Sequence, residues 1–153
     1  MYFRIAAEQD CRAIYGLICE MENALLPYDC FSRIYRNQLD SSMYECLVCE
    51  AEGAVIAVLN LRMEDQLHHT TKIAEILEFA VHPDWRSNGI GRKLLAFACH
   101  HARQQGCTQI EVACNQLRHD THRFYLREGM QNYHFRFSKN LLDDTPRENA
   151  LGR

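Results

Sequence analysis

Apolar residues recur along this chain with two periods, and each change of period marks a new element. Tyr2-Phe-Arg-Ile-Ala6 has the composition of a first strand, after which Ile14, Leu17, Ile18 and Met21 repeat at the spacing of a helical stripe. Pro27 ends that region, and Phe31, Ile34, Tyr35 and Leu39 outline a second helix that exits at Asp40-Ser-Ser42. Tyr44 to Ala51 and Ala54 to Leu61 read as a hairpin around Glu52-Gly53, a pair suited to a left-handed turn. Ile73 to Val81 is a further strand, closed by the breaker His82-Pro83. Behind it Ile90, Leu94, Leu95, Ala98 and Ala102 define a strongly amphipathic helix, with Gly106 where a C-terminal cap belongs. A strand at Gln109 to Ala113, a short helix from His119 to a glycine cap at Gly129, and a last strand from Asn132 to Phe137 complete the pattern. The order predicts an α/β fold with a mixed sheet and helices on both faces.

Size and charge narrow the choices. A chain of 153 residues, 47% hydrophobic, suits one domain with a real core, here residues 1–142 followed by a polar tail, 143–153, expected to be disordered. The net charge of −3 argues against nucleic acid as a partner, which would call for a basic face spanning several phosphates. No apolar run approaches the ~18 to 20 residues of a membrane span. Eight cysteines raise the question of disulfides, yet Met1-Tyr-Phe-Arg-Ile lacks the character of a signal peptide, so the thiols read as reduced in a cytoplasmic protein. Cys46 and Cys49 form the one C-x-x-C, and a strand would set their sulfurs on opposite faces, which suits a core role better than zinc or redox chemistry.

The candidate chemistry concentrates at Arg86-Ser87-Asn88-Gly89-Ile90-Gly91, an R-x-x-G-x-G run between a strand and a helix. The first turn of a helix has unpaired N–H groups and the positive end of the dipole, and glycines let a phosphate approach the backbone. From Trp85 to Ile110 there are four basic residues, Arg86, Arg92, Lys93 and Arg103, and no acidic one. The stretch is neither a P-loop, which needs G-x-x-x-x-G-K-[ST], nor a dinucleotide fingerprint, which needs glycine where Leu94 stands. It reads as an anion cradle.

These residues resemble the GNAT family of N-acetyltransferases over roughly Phe3 to Leu141, most specifically from Glu75 to Gly129. The resemblance implies a mostly antiparallel central sheet of six or seven strands, with acetyl-CoA bound where central strands splay. It implies that Arg86, Ser87, Asn88, Gly89, Ile90, Gly91, Arg92 and Lys93 hold the pyrophosphate, that Phe79, Ala80 and Val81 pair with the pantetheine arm, and that Asn115 and Tyr125 complete the cofactor site. Ser87-Asn88 departs from the more usual glycine after the arginine. Leu67-His-His69, Arg118 to Gly129 and His134-Phe-Arg-Phe137 further resemble the bacterial aminoalkylphosphonate N-acetyltransferases, which are associated with a divalent metal.

Acetyl transfer to an amine requires the neutral base form, of which an alkylammonium with a pKa of ~10.4 supplies very little at neutral pH. Glu75 and Glu78 are the candidate bases, with Glu75 preferred; on a regular strand their three-residue spacing sends them to opposite faces unless a bulge intervenes. Either could instead only orient the amine. Tyr125 is the candidate acid for the departing thiolate, the alternative being an aromatic packed in the core. For a phosphonate acceptor the resemblance offers His68, His69, Arg118 and Arg136; metal ligands are not identified, since adjacent histidines share an ion only in a loop. Other acceptors, a polyamine, an aminoglycoside or a protein N-terminus, stay open, as does a non-catalytic acyl-CoA-binding module. Family members often form homodimers, for which no residue marks an interface.

Overall fold

The structure is a computed structural model and describes residues 1–142. It contains five strands, β1 (Tyr2–Ile5), β2 (Tyr44–Ala51), β3 (Ala54–Gln66), β4 (Thr71–Val81) and β5 (Cys107–Val112). The helices are α1 (Cys11–Glu22), α2 (Tyr28–Leu39), α3 (Ile90–Gln104) and α4 (His119–Arg127). The chain divides into two compact units, Met1–Asn115 and Gln116–Arg153. The polar tail expected at 143–153 lies outside the described residues.

In the first unit the strands pair in the order β1-β2-β3-β4-β5, antiparallel except for the parallel β4–β5 pair. The β2–β3 turn is the predicted one, with Glu52 and Gly53 both at positive φ (53° and 76°). Alternation then sorts the side chains. Cys46, Val48, Val58 and Ala80 face α1 and α2 and form one core with Ile14, Leu17, Ile18 and Tyr35. Phe3, Glu45, Leu47 and Cys49 point the other way, toward α3, as shown by the rings of Phe3 and Phe97 at 5.9 Å and by His101 Nε2 2.6 Å from Glu45. Cys46 and Cys49 thus serve different faces, and all eight cysteines are free.

The helical stripe predicted for α3 is buried at every position, Ile90, Leu94, Leu95, Ala98 and Ala102. Ile34 of α2 is the exception among the predicted stripe residues, being about half exposed, because Ser32 and Tyr35 take the inward positions. Asp10, itself buried, receives two hydrogen bonds from Arg4 (2.7 and 2.9 Å), and Arg4 also reaches Glu50. That charge-assisted cluster joins β1, the turn before α1 and β2, and it holds the Asp10 carboxyl below its usual range.

The second unit contributes α4, with Gly129 at φ 85° past its end as expected of a glycine cap. The strand expected from Asn132 to Phe137 is absent: these residues have no regular structure, and Tyr133, Phe135 and Phe137 are largely exposed. Alternating composition favours a strand only where a neighbour completes the ladder. The sheet accordingly has five strands among the described residues, fewer than the six or seven expected. No described helix is long and apolar enough to cross a membrane.

Candidate active site

The strand β4 carries the site, and an irregularity in it decides which side chains meet. Leu61 pairs with Ile76 but the adjacent Asn60 pairs with Glu78, so Leu77 is an extra residue, a β-bulge. In the same register Arg62 lies opposite Glu75. Asn60 and Arg62 are two apart on β3 and share a face, and the bulge therefore brings Glu75 and Glu78 to that same face. The two carboxylates expected to diverge stand side by side.

Their surroundings differ. Glu75 accepts a 2.6 Å hydrogen bond from Arg62, whose guanidinium also lies 3.5 Å from Glu64. Glu78 accepts 2.8 Å from Asn60 Nδ2 and borders a hollow of about 180 Å³ beneath α1 and α2, walled by Ile14, Ile18, Leu26 and Phe31. Burial raises the Glu78 pKa above its usual value; the Asn60 hydrogen bond opposes this and the charge of Glu22 adds to it. Neighbouring groups in the hollow stay neutral: burial pushes the Cys46 thiol up to about 12, and Tyr35 is raised by the same cause. Asn60 is only 7% exposed, and its second Nδ2 hydrogen bond goes to Gln38 Oε1 at 2.9 Å. A second hollow of about 170 Å³ shares Tyr35, Gln38, Cys46 and Asn60.

Beyond the bulge one edge of β4 is open. Its ladder with β5 ends at Ile76–Val112, so along Leu77 to Val81 the edge on the β5 side has no strand beside it among the described residues, while β3 still pairs with the other edge. Phe79, Ala80 and Val81 lie there. A single 3₁₀ turn, Pro83–Trp85, then leads into the predicted cradle. Gly89 caps α3 in the left-handed conformation (φ 74°, ψ 7°), no side chain caps the helix, and its first turn holds no acidic residue. Ser87, where glycine is more usual, also has a positive φ of 64°, a conformation that costs about 1–2 kcal/mol for a residue with a Cβ. Arg86 is held by Val81 O (3.0 Å) and by Glu20 of α1 (2.5 Å).

The structure thus gathers Glu75, Glu78, Phe79 to Val81 and Arg86 to Lys93 along one strand and its following turn. His68 and His69 lie in the turn between β3 and β4, with ring centroids 4.2 Å apart and His69 Nε2 3.7 Å from Glu111. Eight residues separate His69 from Glu78, and from Thr71 the strand runs roughly 20 Å to Glu78, so the two ends of β4 do not form one pocket. Asn115 closes the first unit. Tyr125, in contact with the Phe124 ring, Arg118 at the start of α4, and Arg136 belong to the second unit. Among the described residues no three His, Cys, Asp or Glu come together as a metal ligand set. Asn60, Arg62 and Gln38 went unnoticed in the sequence; the signal was the alternation Asn60, Arg62, Glu64 inside an otherwise apolar strand.

The sheet, with its interrupted parallel pair and the uncapped helix start beyond it, shares its fold with solved acetyltransferase structures. An aminoglycoside N-acetyltransferase solved in complex with coenzyme A superposes with a TM-score of 0.82 at 13% identity, over 92% of this chain and 94% of that one. A transcriptional regulator from Bacillus halodurans superposes with a TM-score of 0.83 at 21% identity, over 91% and 98%. Residues 8–130 match the Acetyltransferase (GNAT) family, and the chain belongs to that family, whose members use acetyl-CoA. The aminoalkylphosphonate N-acetyltransferase of Salmonella typhimurium is 41% identical over 139 residues, 90% of each chain.

Proposed function

We propose that the protein transfers the acetyl group of acetyl-CoA to the primary amine of an aminoalkylphosphonate. The 41% identity across nine-tenths of both chains supports that acceptor. The observation that carries the mechanism is the Glu78 carboxylate, partly desolvated beside a hollow and hydrogen-bonded only to an amide in the contacts described above. Glu78 takes a proton from the acceptor ammonium. The freed amine attacks the thioester carbonyl, a C–N bond forms, the C–S bond breaks and coenzyme A leaves as a thiolate, while the second proton that the nitrogen loses as the amide forms balances the one the thiolate takes up. The base role passes from Glu75 to Glu78 because Arg62 already neutralises Glu75, whereas burial favours the protonated product state of Glu78.

The pyrophosphate lies against the first turn of α3 and the Arg86 to Lys93 segment, with the pantetheine arm along the open edge of Phe79 to Val81. Tyr125 is the proposed proton donor to the thiolate, on the resemblance of its Tyr125-Leu-Arg-Glu-Gly129 segment; a phenol of ordinary pKa ~10 stays protonated at neutral pH. Arg118 and Arg136 are the proposed phosphonate partners on the same ground, their guanidinium forks suiting phosphonate oxygens.

Product mass after incubation with acetyl-CoA tests this, using 2-aminoethylphosphonate beside polyamines, aminoglycosides and peptides. Acetylation of the phosphonate in preference to the rest is expected. Preferential acetylation of another amine would reject the acceptor, and tight acetyl-CoA binding without any turnover would reject the enzyme reading.

A further inference from the structure

Both N–H groups of the Asn60 amide are committed, one to Gln38 Oε1 (2.9 Å) and one to Glu78 Oε2 (2.8 Å). This pairing fixes the amide plane and its orientation, because a flipped amide would set oxygen against two acceptors. It leaves Asn60 Oδ1 buried with no protein donor, on a residue that lines both hollows. A buried acceptor of this kind is rare in native proteins and calls for an explanation. The adjoining polar groups do not supply one: the Tyr35 hydroxyl donates to Ala7 O at 2.8 Å, and the Gln38 oxygen already accepts from Asn60.

Resting on the acetyltransferase reading above, we infer that Asn60 is a substrate-positioning residue whose Oδ1, together with the Glu78 carboxylate, receives the ammonium of the acceptor. A primary ammonium has three N–H donors and no acceptor, and here it meets two acceptors, the Glu78 carboxylate and Asn60 Oδ1. One proton passes to Glu78. A second N–H stays on Asn60 Oδ1, which fixes the rotation of the neutral amine and aims its lone pair at the thioester carbonyl. Gln38 holds the amide in the orientation this requires. The apolar walls formed by Ile14, Ile18 and Leu26 suit the carbon carrying the amine and leave a charged phosphonate on the outer side.

The test uses the acceptor that the wild-type protein turns over fastest, with acetyl-CoA affinity measured by calorimetry as the control. Asn60→Ala and Asn60→Ser differ by one hydroxyl at nearly equal volume, and Asn60→Leu refills the space without an acceptor. The alanine and leucine variants are expected to raise the amine KM at least tenfold and the serine variant clearly less, with acetyl-CoA affinity within twofold of wild type throughout. Equal amine KM for the alanine and serine variants, or recovery of the wild-type KM by leucine, would overturn the inference and mark Asn60 as packing. A wild-type protein that binds acetyl-CoA and acetylates nothing would overturn the underlying reading instead. If the alanine variant does not fold, the serine and leucine variants decide by the same order.

Discussion

In the proposed site the donor side of β4 is made of consecutive residues, Arg86 to Lys93, and would work through backbone N–H groups presented by a turn with two positive φ angles. The acceptor side takes Ile14 from α1, Phe31 from α2, Asn60 from β3 and Glu78 from β4. A backbone-made site tolerates changes of side chain but depends on chain geometry. A side-chain-made site tolerates little, because each group is placed by packing and each buried polar atom needs a partner. Damage to the two sides should therefore appear in different kinetic constants.

The largest effect is expected at the acceptor side. Glu78→Gln should lower kcat by about 10²- to 10⁴-fold, the range for loss of a positioned base, with acetyl-CoA affinity unchanged. Glu75→Gln should fall well short of that, since Arg62 already balances Glu75; a larger loss there than at Glu78 would reverse the assignment. The raised pKa of Glu78 also fixes a stability effect. The folded protein keeps the Glu78 proton to higher pH than the unfolded chain, so this group favours folding below about 4.5 and that contribution is lost as pH rises. Glutamine does not titrate. The Glu78→Gln protein should melt higher than wild type at pH 7, with the gap closing at pH 4.

The same contrast explains what could be read from the chain. The strand, glycine turn and helix around Arg86 to Gly91 were legible, because they are neighbours and each has a local signal. The hairpin at Glu52-Gly53 and the stripe of α3 were legible for the same reason. The meeting of Glu75 with Glu78 was not, since it depends on one extra residue, Leu77, and no composition distinguishes a bulged leucine from a paired one. Nor was the Asn60 pairing, which joins three elements. The strand expected at Asn132 to Phe137 failed for a related reason: its alternation was real, but a ladder partner is a tertiary fact.

Next in size is a change on the donor side. A Cβ at Gly89 would meet nothing within 4 Å, so Gly89→Val acts through its φ of 74° and not through a clash. Forcing a β-branched residue into that region costs about 1–3 kcal/mol, which should weaken acetyl-CoA binding roughly 5- to 150-fold as the turn relaxes away from the pose that presents its N–H groups. Calorimetry with coenzyme A reads this directly. At saturating acetyl-CoA kcat should move much less than in Glu78→Gln; an equal fall in kcat would mean that the two sides are not separable.

The smallest effect probes a contact between α1 and the turn before α3, the Glu20–Arg86 ion pair. Glu20 lies on α1, which also walls the acceptor hollow through Ile14 and Ile18, and it holds Arg86 of the cradle. On the proposed reading, cofactor phosphate and the Glu20 carboxylate compete for the same guanidinium. Both side chains are about half exposed, so the ion pair is weak and Glu20→Gln should tighten coenzyme A binding by no more than about fivefold. The gain should shrink at high salt, which screens the pair and the phosphate contact alike. A loss of affinity instead would show that Glu20 holds Arg86 in the pose the cofactor uses, and α1 would then position the donor as well as enclose the acceptor.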